Sequence, residues 1–102
     1  MKLVKSDDFD RYQQELTQQI VTAIRYELEK VDTPDDLVRE LTENIAFAVT
    51  SLIDDTAGLE INGKSISPIL TFLNEREELE FSKGNSWMHE HVREKVKKHF
   101  TP

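Results

Sequence analysis

The chain has no cysteine. That excludes a disulfide framework, a thiolate metal site and a cysteine nucleophile. Its three glycines are isolated from one another, so no glycine-rich loop is available to cradle a phosphate. There is also no Gly-x-Ser-x-Gly elbow of the hydrolase kind. No run of 18 apolar residues occurs, so no membrane span is expected. The opening Met1–Asp8 lacks the apolar stretch of a secretory signal. These absences lead us to expect a cytoplasmic protein without a bound cofactor.

Positive charge is scarce in the body of the chain. Residues 6–80 hold 6 basic and 18 acidic side chains, whereas residues 81–102 hold 5 basic and 2 acidic. The overall charge is -7. An acidic body repels nucleic-acid backbones and anionic lipid surfaces. A basic protein is the partner such a body attracts. Nucleic-acid binding would rest on the Arg93–Lys98 cluster alone, and the acidic remainder argues against it.

What the chain does have is helical periodicity. At 102 residues it has the size of a single domain, residues 1–102. Thr33 to Gly58 is the stretch around which the rest is organised. Thr33 can cap a helix, Pro34 suits its first position, and Asp35 and Asp36 favour its positive end. Gly58 can take the left-handed conformation that ends it. Leu37, Val38, Leu41, Ile45, Ala48, Val49 and Leu52 fall on one face, and Ala46, Phe47 and Ile53 spread the apolar character further round. A helix of this kind is expected to be covered on more than one side.

Before it, Ser6 can cap a helix with Asp7, Asp8 and Asp10 in its first turn. Phe9, Tyr12, Leu16, Ile20, Ala23, Ile24, Leu28 and Val31 give a stripe about 160° wide. The helix runs to about Val31, and the short link at Asp32-Thr33 makes the two helices antiparallel neighbours. After Gly58 the pattern changes. Leu59-Glu60-Ile61, Asn62-Gly63 and Lys64-Ser65-Ile66 form a strand–turn–strand signal.

Residues 67–82 admit two readings. As a helix, Ser67 caps and Pro68 opens. As strands, Ile69–Leu73 and Glu78–Ser82 flank a turn at Asn74–Glu77. The alternation of Leu79 and Phe81 favours strands. A last helix runs from Trp87 to about Phe100, with Met88, Val92 and Val96 as its stripe. The fold class is therefore α+β: an antiparallel two-helix hairpin, a small antiparallel meander of three or four short strands, and a C-terminal helix.

Chemistry-bearing residues are few. His89-Glu90-His91 resembles part of a zinc motif, but the two imidazoles lie about 200° apart on a helix and cannot grip one ion. No metal site is expected. His89 or His91 as a general base in a small enzyme is the alternative from another functional class. Trp87, beside a Gly-Asn-Ser turn, suits a core anchor or a partner-binding anchor. Asp54 and Asp55 stand at the negative end of the central helix, where carboxylates are disfavoured. Either something compensates them or they meet a cation or a basic partner. Trp87, His89, His91, Asp54 and Asp55 are thus the candidate partner-binding residues. The far end of the helix hairpin carries Phe9, Tyr12, Val49, Leu52 and Ile53, an apolar excess that suggests a homodimer interface. The functional expectation is a non-enzymatic protein-interaction module, with polyanion mimicry toward a basic protein as the alternative mode.

Overall fold

The structure is a computed structural model that describes residues 1–102. Two long helices form its frame, α1 (Phe9–Lys30) and α2 (Asp35–Ile53). Asp32 turns the chain between them at φ 58°, with its N–H donating to the Glu29 carbonyl. An aspartate tolerates this left-handed position better than most residues. The C-terminal helix α3 (Val92–Phe100) lies across both, preceded by a 3-10 turn at Met88–His91. Val21 of α1, Ala46 of α2, and Val92 and Val96 of α3 close the central cluster. Arg25 anchors the far end of α3, donating to the His99 carbonyl and stacking over the Phe100 ring.

The strands fall into two groups. β1 (Lys2–Lys5) pairs in parallel with β5 (Glu78–Phe81), which pairs antiparallel with β4 (Phe72–Leu73). This sheet meets the start of α1 through an aromatic group. Phe9 and Tyr12 each lie 5.4 Å, edge to face, from Phe72. Pairs of this kind contribute about 0.5–1.5 kcal/mol beyond their area. The second group is a hairpin of β2 (Glu60–Ile61) and β3 (Lys64–Ser65), turned by Asn62-Gly63 with both residues at positive φ.

Four expectations are corrected. The strands do not make one meander: β1 enters the sheet in parallel, and the β2–β3 hairpin pairs only with itself. Lys-Leu-Val-Lys is too short to show a period, and its pairing with residues 78–81 is non-local. Second, α1 begins at Phe9, later than a cap at Ser6 implies; the Ser6 hydroxyl does accept the Asp8 N–H, as a cap would, and donates to Glu80. Third, α2 starts at Asp35 with Pro34 at its cap and ends at Ile53, short of Gly58. Fourth, α2 does not bury its Leu/Ile/Val stripe. The covered row is Val38, Thr42, Ala46 and Thr50, and Leu37, Ile45, Val49 and Leu52 stay exposed.

The covered row is made of small side chains, which let α1 and α3 approach α2 closely. The Thr50 and Thr17 hydroxyls return to their own helices, at the Ala46 and Gln13 carbonyls, a local solution open to a buried threonine. Half of the 14 buried residues are polar or charged, so this core depends on hydrogen bonds as much as on apolar area. Ala46 is fully buried between three helices. Ala46→Leu should therefore cost about 1–3 kcal/mol through overpacking, read as a lower urea midpoint. An unchanged midpoint would show that the three helices are not in close contact at this point.

Candidate functional site

Asp54 closes α2 and is 2% exposed. A carboxylate there faces the negative end of the helix dipole, and burial adds a further penalty. Its compensation comes from the segment that opens the last helix. One oxygen accepts the Ser86 hydroxyl at 2.5 Å. The other accepts the His89 backbone N–H at 2.7 Å and lies 2.6 Å from His89 Nδ1. A carboxylate only accepts, so Nδ1 carries the proton in this pair. Burial alone would raise the Asp54 pKa, but the donors at Ser86 and His89 outweigh it and hold the group below its ordinary 3.8.

The same segment is held from α1. The Met88–His91 turn has no side-chain cap of its own. Gln13, fully buried in α1, accepts the Trp87 N–H through Oε1 at 2.9 Å and donates to Asp10 through Nε2. Gln13 and Asp54 together satisfy unpaired N–H groups at the start of this helical segment, the function a local N-cap normally serves. Asp10 is also held below its ordinary carboxyl value, chiefly by the Gln13 hydrogen bond; burial opposes this, and Gln14 and the nearby His91 add to the lowering. His91 Nε2 lies 3.3 Å from Asp10.

The structure thus brings Asp54, Trp87, His89 and His91 to one joint between α1, α2 and α3. Trp87 is half-buried, 5.8 Å from the Phe9 ring. Asp55 stands beside the joint at φ 63° and takes no part in the hydrogen bonds to Ser86 and His89. Among the five suggested dimer residues, Phe9 is covered within the chain, Tyr12 and Ile53 are half-buried, and Val49 and Leu52 are open. Sequence reasoning missed Ser86, Gln13 and Asp10. Gln13 carried a signal: it shares the row Phe9, Gln13, Thr17, Val21 at a spacing of four. A glutamine on a covered row needs a buried partner.

His89 also lines a small cavity of about 320 Å³ with Asn44, Phe47 and Arg93. The Asp54–His89 pair has the orientation of a carboxylate fixing a general-base imidazole. Ser86, however, donates to Asp54 and not to the ring, so the order is serine–aspartate–histidine and no hydroxyl is activated. No group of three or more His, Asp or Glu side chains is placed to hold a metal ion.

A second, wider concavity, about 1120 Å³, runs between α1 and the three-stranded sheet. Its apolar lining is Val4, Tyr12, Leu16, Phe72 and Leu73. Six carboxylates line it, from Asp7, Asp8, Glu15, Glu75, Glu78 and Glu80, against two bases, Lys5 and Arg76. No helix of the structure is long and apolar enough to cross a membrane.

Asp54→Ala should lower unfolding stability by roughly 2–4 kcal/mol, because it strands buried donors. Asp55→Asn should stay within about 0.5 kcal/mol, since asparagine also accepts positive φ. Denaturant titrations of the two variants check this contrast, and equal effects would contradict it. The acid limb follows from the sign of the shift. The folded-state pKa of Asp54 is below 3.8, so its stabilisation is present above 3.8 and is lost as pH falls through the depressed value. A pH series of unfolding curves should show that loss in the wild type and much less of it in Asp54→Asn.

Comparison with protein families, with curated proteins and with solved structures finds no match for this chain.

Proposed function

We propose that this protein is a non-enzymatic interaction module that holds a basic, partly apolar segment of another protein. The observation that carries this reading is the α1–sheet groove, whose lining combines five apolar residues with six carboxylates, Glu80 among them buried against Ser6, and two bases. An apolar lining supplies affinity, and charge of one sign steers and selects an oppositely charged partner. The charge of -7 extends the same preference over the whole surface. The joint at Asp54 supports a structural role for its carboxylate, which is engaged by Ser86 and His89 and activates no hydroxyl.

A fluorescent peptide alternating Lys or Arg with Leu or Phe is the probe. Binding should weaken at least about tenfold between low and moderate salt as the carboxylates are screened. Glu15→Lys with Glu75→Lys should remove most of the affinity, and Leu73→Ser should weaken it as well. Binding that responds to the charge reversals but not to Leu73→Ser would point to polyanion mimicry without use of the apolar lining. Binding indifferent to salt and to all three substitutions would overturn the groove as the site.

A further inference from the structure

The groove leaves another surface unexplained. Along α2, Leu37, Leu41, Ile45 and Val49 repeat at a spacing of four, with Leu52 one turn on. This row lies about 100° round the helix from the buried row. Leu41 is half-buried, and the other four are between 38% and 63% exposed. Seven residues beyond Leu52 the chain enters the β2–β3 arm at Leu59, and Leu59, Ile61 and Ile66 are each 45% to 50% exposed. The arm is closed internally, with the Ile66 N–H donating to the Leu59 carbonyl. It makes no extensive contact with any other element. The radius of gyration is 15.5 Å, against about 13 Å for a compact chain of this length.

From this placement we infer that two copies of the chain associate about a two-fold axis, the arm of each lying on the open α2 row of the other. An isolated two-stranded hairpin is marginal in water, yet this one is apolar and unsupported within its own chain. The same chain carries an apolar row of matching character that its own arm does not cover. A two-fold axis satisfies both needs at once and closes the assembly at two copies. Eight partly exposed apolar side chains per chain are offered to this contact, where a stable complex needs roughly 800 Å² per partner. The inference does not depend on the groove. It also has the opposite salt response: two chains of charge -7 repel, so salt strengthens this association while it weakens binding of a basic segment.

The test is solution mass by light scattering, at low and high salt. The wild type should give 23.8 kDa, twice the 11.9 kDa chain, more completely at high salt. Leu52→Glu and Ile61→Glu should each give 11.9 kDa. Both positions are exposed, so the circular dichroism of each variant should show an unchanged helical signal. Mixing the two variants should restore part of the dimer, because the arm of the Leu52→Glu chain still meets the row of the Ile61→Glu chain. A wild type that stays at 11.9 kDa overturns the dimer. Two monomeric variants that do not complement one another overturn the arm-on-row arrangement. Peptide binding in the groove should survive both substitutions, which keeps the two readings separately testable.

Discussion

Three donors converge on the Asp54 carboxylate, from the Ser86 hydroxyl, the His89 backbone and the His89 ring, and the position of everything after residue 86 depends on them. The segment 86–91 is short and carries no cap of its own. It has to be told where to start by residues distant in sequence. Asp54 does this from the end of α2 and Gln13 from the start of α1. The antiparallel hairpin puts those two ends side by side, so one turn can bridge both. Once the turn is fixed, Met88, Val92 and Val96 are delivered to the space between the long helices, where each is at most 1% exposed. A carboxylate that the helix dipole disfavours is thereby converted into the joint of the molecule.

That joint shapes the rest of the surface. The last helix covers the small-residue row of α2, so the larger aliphatic row is left outside. Polar interiors usually cost stability unless every group is paired, and here most of the buried polar groups are. The aliphatic side chains released from the core are available for contact with another chain. The sheet, meanwhile, meets α1 through the aromatic group of Phe9, Tyr12 and Phe72, and the gap beyond those rings forms the acidic groove. Two surfaces of different chemistry, one charged and one apolar, thus arise from the same packing choice and lie on different elements.

The long elements were legible in the sequence because their signals are local. Helical periodicity, the Asp32-Thr33 link, the Asn62-Gly63 turn, the Asn74–Glu77 turn and the Met88, Val92, Val96 stripe all depend on neighbours within a few residues. The α+β class follows from them. The parallel pairing of Lys2–Lys5 with Glu78–Phe81 was not legible, since nothing in four residues announces a partner more than seventy positions away. The buried face of α2 was misjudged for a different reason. Hydrophobicity ranks Leu and Ile above Thr and Ala, but close helix packing selects for small size, and the Thr42, Ala46, Thr50 row won. At the candidate site, the conflict between Asp54 and the helix dipole was visible, and so was the need for compensation. Its source was not: the donors come from Ser86 and His89 at the opening of the last helix, more than thirty positions away.

Carbon-detected NMR of the Asp54 carboxyl through an acid titration tests the joint most directly. The account predicts a midpoint below the ordinary 3.8, with the His89 amide proton moving on the same curve because it donates to that carboxylate. A midpoint at or above 3.8, or a His89 amide that ignores the titration, would contradict the claim that this carboxylate holds the last helix in place.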